Sequence, residues 1–374
     1  MKKNYILLFL LSSILVSAQT GAPSSPYYDN SDWTLTGNNL KAALGAKITN
    51  THTLFLSYAQ CENAIKIIDL DPEDPTNTNV LLLYGFDNST VCNYVSESSF
   101  GTSTNGTEHR RRHKEADVSG VDQCAWNREH VYPKSLGTPN LGEIGAGSDA
   151  HHLRTCDVVR NANRGNTKFG AGSGNSGTSG SFWYPGDEWK GDVARTMMYL
   201  YLRYPTQCLP TGVGTGATVA ADSNMVQLFL QWNAEDPVSI YEDKRNTYLG
   251  NTSNTYGQGN RNPFIDNPYL ATVIWGGIAA ENRWPTVFLS KDSFELIADI
   301  NVYPNPSSDQ KINIETVNEL DQIQVINING QVMQQISKPI RNQNKYTMEN
   351  LPQGFYFLKL SSENKSIVKK IVIN

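Results

Sequence analysis

Glu129 and His130 stand side by side in "NREHVYPKSLG", just ahead of a turn-forming proline. Farther along, "CDVVRNANRG" carries Asn161 and Arg164, three residues apart and able to project from one face of a helix. These residue types suit one kind of chemistry. Hydrolysing a phosphodiester needs a base to take a proton from water, and an ordinary histidine titrates near pH ~6.5. It also needs a cation to neutralise charge on the phosphorane and the leaving oxygen. Magnesium prefers oxygen ligands and keeps several waters, so one carboxylate and one amide oxygen suffice. Glu129 and Asn161 would supply those oxygens, His130 the base, and the planar fork of Arg164 a contact to a phosphate oxygen.

Such a set works only if the chain folds it together. The order is a Glu-His pair, a loop, an extended "DAHHLR", then the segment bearing Asn161 and Arg164. That segment reads as a short helix: Thr155 or Asp157 can cap its start, and Gly165 suits the position after its end. Asparagine inside a helix costs roughly half a kcal/mol against alanine, so two of them suggest fraying or a job for a side-chain oxygen. A strand-loop-strand-helix unit brings His130 and Asn161 to opposite sides of one phosphate. Neighbours on a regular strand point to opposite faces, so Glu129 and His130 share a site only if the strand ends or bulges there. Tyr132 and Pro133 predict such an end.

Around this unit the chain reads as mixed. "GNNLKAALGAKITNTH" predicts a helix, with Leu40, Leu44 and Ile48 four apart. "AIKIIDLDP" and "NVLLLYGF" predict short apolar strands. "GAGSGNSGTSGS", 170–181, predicts a mobile surface loop, since it lacks the Gly-Lys-Ser/Thr ending of a phosphate cradle. "GDVARTMMYLYLRYP" predicts a helix capped by Asp192, stopped by Pro205, with Met197 and Met198 in the core. "EHRRRHKEAD", 108–117, spaces His109 and His113 like zinc ligands, but Arg110 stands where a metalloprotease needs glutamate, so a solvated basic stretch is expected. Of His151 and His152, at most one can face the site. In "QGNRNPFID", a structural turn is expected, with Arg261 and Asp266 paired and Phe264 and Ile265 entering the core.

The 374 residues open with "MKKNYILLFLLSSILVSAQT", two lysines, an apolar run and small residues, the layout of a secretory signal peptide over 1–18. No later run reaches the length of a membrane-spanning helix, so an exported, soluble protein is expected. Export permits one or two disulfides among Cys61, Cys92, Cys124, Cys156 and Cys208, of unassigned pairing. A net charge of −5 argues against coating nucleic acid by electrostatics alone, without excluding an enzyme that has a local basic patch. From about residue 297, "INVYPNPSSDQKINIE", "IQVINING" and "GFYFLKLSSENKSIVKKIVIN" alternate apolar and polar residues between turn signals, which predicts a small all-β sandwich.

Two resemblances follow from these residues. "REHVYP", "DAHHLR", "RNANRGN" and "QGNRNPFID", in that order, resemble the bacterial endonuclease I family of ββα-metal (His-Me finger) nucleases over most of residues 40–285. The tail, from "VYPNP" through "LPQGFYFLKL" to "KKIVIN", resembles the C-terminal sorting domain of proteins exported by the bacterial type IX system. The resemblance implies an α+β fold with a ββα-metal finger embedded in a nuclease domain over 19–290, a linker over 291–296 and a β-sandwich sorting domain over 297–374. It implies metal-dependent cleavage of DNA and often RNA, regardless of sugar, to 5′-phosphate and 3′-hydroxyl ends, outside the cell or at its surface. His130 would be the general base, Glu129 and Asn161 the ligands of Mg²⁺ (Mn²⁺ or Ca²⁺ being alternatives), and Arg164 and Asn166 substrate contacts. Some family members place a leaving-group arginine in a longer insert, which is here only "SLGTPNLGEIGAG", without an arginine; Arg154 is the substitute candidate. Two other classes remain open: a catalytically silent nucleic-acid-binding protein, and a surface adhesin acting through the β tail.

Overall fold

Leu40, Leu44 and Ile48 lie on one buried stripe of α1 (Gly37–Thr51), as their spacing requires. The structure, a computed structural model, describes residues 21–86, 110–117, 125–288, 300–328, 330–362 and 365–374. The expected signal peptide, the 291–296 linker, His109, Cys92 and Cys124 lie outside those residues. Two compact units divide between Trp284 and Pro285.

The expected strand at "AIKIIDLDP" is instead the end of a helix, α2 (Tyr58–Ile68). Cys61, Ala64, Ile65 and Ile68 recur at helical spacing and are buried, and Ser57 with Gln60 forms a reciprocal capping box at its start. The β-branched isoleucines suggested strand, but the cap and the period of the whole segment prevail. "NVLLLYGF" contributes only β1 (Asn79–Leu81), paired antiparallel with β2 (Arg111–His113). The basic stretch is therefore not wholly solvated: Arg112 is buried opposite Val80, 3.5 Å from Asp157.

The central unit is a two-stranded antiparallel ladder, β3 (Trp126–His130) with β4 (Leu153–Asp157), followed at once by α3 (Val158–Arg164). Asp157 caps α3 by accepting from the Arg160 amide at 3.0 Å, while the Thr155 hydroxyl turns inward to Asp69 and the Leu81 carbonyl. Gly165 ends the helix with φ +54°, a conformation that suits glycine. Every residue of β4 is buried, and Trp126, Ala150 and Leu153 pack with α2 in one apolar cluster. This packing fixes the hairpin in place.

The glycine-rich segment yields β5 (Gly177–Ser179), paired with β6 (Phe182–Tyr184), so part of the expected loop is ordered ladder. Then comes α4 (Lys190–Arg203), buried from Gly191 to Leu202, as befits a helix with neighbours on all sides. Asp192 does not cap it; the side chain is buried in an ion pair with Arg154. The remaining elements are α5 (Pro210–Val213), β7 (Thr218–Val219), β8 (Asp222–Val226), α6 (Gln227–Glu235), α7 (Ile240–Gly250), α8 (Pro263–Asp266) and α9 (Tyr269–Trp275). In α8, Phe264 and Ile265 are buried and Arg261 pairs with Asp266 at 2.6 Å, as expected. Among the described residues, Cys61, Cys156 and Cys208 are free and buried, so no disulfide joins any two of these three.

The second unit is all β. Strands β9 (Asn301–Tyr303), β10 (Ile312–Glu315) and β13 (Lys345–Met348) form one antiparallel sheet, with β10 central. The other sheet runs β12 (Val332–Ser337), β11 (Gln322–Asn327), β14 (Gly354–Ser362) and β15 (Lys365–Ile373). Alternate residues from both sheets, among them Ile312, Ile314, Val325, Leu358 and Ile371, meet in one core.

Candidate active site

β3 ends at His130, and α3 begins directly after its partner strand, so the helix folds back over the end of β3. Asn127 and Glu129 share a strand face by period two. From α3, the Asn161 amide nitrogen donates to Asn127 Oδ1 at 2.7 Å and to the Arg128 carbonyl at 3.3 Å. A carbonyl can only accept, which fixes the nitrogen toward the strand. Asn161 Oδ1 accepts no hydrogen bond among the described residues.

Glu129 is buried, and its two hydrogen bonds fall on one oxygen: Oε1 accepts from the Tyr84 hydroxyl at 2.9 Å and from Arg164 Nη1 at 3.0 Å. Burial raises the carboxyl pKa; the Arg164 charge and the Tyr84 hydroxyl act against it. Arg164, expected to face a phosphate, is 1 % exposed. Its fork also donates to the His130 carbonyl at 3.1 Å and the Val131 carbonyl at 2.8 Å. As the last residue of α3 it turns back beneath the end of β3. In this structure it clamps Glu129 and the strand rather than meeting solvent.

His130 Nε2 lies 3.0 Å from the Gly147 carbonyl. Because that oxygen only accepts, Nε2 carries the proton and Nδ1 keeps a lone pair. The ring stacks against Tyr58 at 5.5 Å between centroids and meets His152 edge-on at 5.4 Å. His152 hangs by Nε2 from the neighbouring carbonyl, Ala146, at 2.5 Å. One turn, 145–148, thus orients both imidazoles. It leaves no room for a side chain at Gly147, where a Cβ would fall 1.6 Å from the Gly142 carbonyl oxygen. Asp149 anchors the turn, accepting from the Tyr199 and Tyr204 hydroxyls at 2.8 and 3.1 Å and from Gln258 at 3.1 Å. The ordinary histidine pKa does not apply at His130: burial first, then His152, push it down to about 3, against the pull of the Gly147 carbonyl. The imidazole is therefore neutral across the physiological range, with its lone pair available.

Arg154, the expected leaving-group arginine, is 2 % exposed. It pairs with Asp192 at 3.0 Å and donates to the Tyr241 hydroxyl at 3.1 Å, so it ties β4 to α4 and α7. Buried there, it has no path to a phosphate in this conformation. Asn166 is exposed and donates to Ser135 Oγ at 3.3 Å. His151 supports the loops through the Asn260 carbonyl at 3.1 Å. Sequence reasoning missed Asn127, Tyr58, Tyr84 and Gly147. The first could have been found, two positions before Glu129 on the same strand. The others come from distant segments and carry no local signal.

Among the described residues, no three His, Cys, Asp or Glu side chains gather to hold a metal ion. The donors present fit a sparser site of the kind a hard divalent cation accepts: one carboxylate oxygen and one amide oxygen, the rest water. Glu129 and Asn161 each have one oxygen or nitrogen pinned by the protein and another oxygen left over.

Residues 36–269 match the sequence model of the family described as Endonuclease I, and residues 301–374 match that of a secretion system C-terminal sorting domain. The chain is 35% identical over 277 residues to an extracellular ribonuclease of Bacillus subtilis, covering 71% of this chain and 83% of that protein. It is 37% identical over 252 residues to an extracellular ribonuclease of Bacillus amyloliquefaciens, covering 64% and 74%. Among solved structures, PorZ of Porphyromonas gingivalis, a surface component of the type-IX secretion system, is similar over 22% of this chain and 12% of its own. That likeness has 13% identity and a TM-score of 0.18, too slight to argue from.

Proposed function

The chain belongs to the endonuclease I family and is a secreted or cell-surface nuclease, and we propose that it hydrolyses DNA and RNA using one divalent cation. In this reading β3, β4 and α3 form the ββα-metal finger, within a nuclease domain over 19–290. A linker, 291–296, leads to a sorting domain over 297–374 that is read by the type IX machinery. Nucleases of this family are typically divalent-metal dependent. Glu129 Oε2 and Asn161 Oδ1 would hold the ion, with Mg²⁺ the first choice and Mn²⁺ or Ca²⁺ alternatives. The ion would neutralise charge gathering on the phosphate and its leaving oxygen.

The observation that carries the reading is the locked tautomer of His130. With Nε2 committed to the Gly147 carbonyl, Nδ1 is the atom able to accept a proton. A water in line with the scissile P–O3′ bond gives its proton to Nδ1 as its oxygen bonds phosphorus. The O3′ then leaves with the electron pair and is protonated from solvent, so the products end in 5′-phosphate and 3′-hydroxyl. Low sequence preference follows from contacts made to phosphate, which carries no sequence information.

A plasmid-nicking assay with matched RNA, with and without chelator, tests this on the wild type and His130→Ala. Cleavage should stop with chelator, return with Mg²⁺, and be absent in a folded variant; end-labelling should find phosphate on the 5′ side. A fully active His130→Ala enzyme removes it as the base. A folded wild type that binds nucleic acid but fails to cleave it whichever divalent cation is supplied would be a silent binder.

A further inference from the structure

A phosphate beside His130 needs positive charge from the protein, and the arginines named from sequence do not offer it. Arg164 and Arg154 are buried and committed to Glu129 and Asp192. Arg128 is also engaged. Its Nη1 donates to the Tyr58 carbonyl at 2.6 Å, its Nη2 pairs with Glu62 at 3.0 Å, and its guanidinium lies 3.7 Å from the centre of the Tyr58 ring. Arg128 therefore props the ring against which His130 stacks.

Lys134 differs. Its ammonium rests 4.5 Å from the centre of that same Tyr58 ring, one ring away from the imidazole. Its carboxylate neighbour, Glu143, is 3.6 Å away and 69 % exposed, a loose pair that solvent screens. The turn that carries it is firm: the Leu141 amide donates to the Lys134 carbonyl at 2.9 Å, and Leu136 to that of Pro133 at 3.0 Å. Asn166, just past α3, reaches across to Ser135 on the same turn. The lysine is thus a partly exposed cation that shares the Tyr58 ring with the imidazole, on a firm turn that Asn166 ties to the end of the helix bearing Asn161.

We propose that Lys134 contacts the non-bridging oxygens of the scissile phosphate from the Tyr58 side of His130. This rests on the nuclease reading above and names a substrate contact for it. An ammonium on a flexible stem acts as a point charge, so it binds phosphate without reading bases.

The test compares the full-length wild type with Lys134→Met, Lys134→Arg and His130→Ala on duplex DNA over a series of salt concentrations. Lys134→Met should keep the wild-type melting curve and lose about 10- to 100-fold in kcat/KM, the worth of one charge-assisted hydrogen bond. The slope of log(kcat/KM) against log[salt] should become shallower by about 1. Lys134→Arg should restore the slope and most of the rate. Wild-type rate and slope in Lys134→Met, with His130→Ala dead, would overturn the contact and leave the nuclease reading standing. A loss with an unchanged slope would show a merely structural lysine and overturn it too. A wild type without nuclease activity would bring down both.

Discussion

Replacing Arg164 with methionine separates a clamp from a phosphate contact. Met keeps much of the apolar stem and removes the guanidinium. The change would strip the Glu129 carboxylate of its charge partner and leave the His130 and Val131 carbonyls short of a donor. Both side chains of the pair are nearly fully buried, 0 % and 3 % exposed. Breaking such a pair from one side costs about 3–5 kcal/mol, because the remaining charge stays desolvated. In a nuclease unit of this size, each kcal/mol moves the melting temperature by roughly 2–4 °C, so a fall of roughly 6–20 °C is expected. The Tyr84 hydroxyl remains on Oε1 and softens the loss. Burial would also drive Glu129 to take up a proton, so the variant should lose cation affinity together with stability. Thermal and urea unfolding, followed by circular dichroism, measure the cost; a double-mutant cycle with Glu129→Gln measures the coupling. Coupling below about 1 kcal/mol, the worth of an exposed pair, with a shallower salt dependence of cleavage, would refute the clamp and return Arg164 to the substrate.

Two further outcomes follow from partners described above. Asn127→Ala leaves the Asn161 amide only its longer bond to the Arg128 carbonyl. Calorimetric titration with Mg²⁺ or Mn²⁺, without substrate, should show affinity lowered about 10–100-fold, as for other supports of metal ligands. Asp149 is held down to about 2: burial alone would raise its pKa, and the charges and donors of His151, His52 and Gln258 outweigh that. A depressed carboxylate stabilises the fold above its unfolded value near ~3.9 and loses that contribution as pH falls toward 2, roughly 2 kcal/mol in all. Asp149→Asn should flatten the fall in stability between about pH 4 and 2 in acid-unfolding curves; an unchanged profile would show that Asp149 is not the group responsible.

Some of this protein lies in short stretches of its sequence. The stripe of Leu40, Leu44 and Ile48, the cap and glycine that bound α3, the alternating tail and the Glu-His pair ahead of Pro133 are set by neighbours a few residues apart. Helical and strand periods act at that range, so these features were legible. Where local signals conflict, as with the isoleucines of α2 and the capping box before them, the strand that the isoleucines suggest gives way to helix. The roles of the two arginines were beyond such reading. Arg154 and Arg164 have residue types and spacing that suit phosphate, yet Asp192 and Glu129 take them, and burial makes those pairings costly to undo. Likewise the tautomer of His130 depends on a carbonyl at Gly147, and the poise of Glu129 on a hydroxyl at Tyr84, each brought in by chain closure from another segment. Which polar group meets which is a matter of distance in space. Sequence supplied the chemistry at each position, and only packing chose the partners.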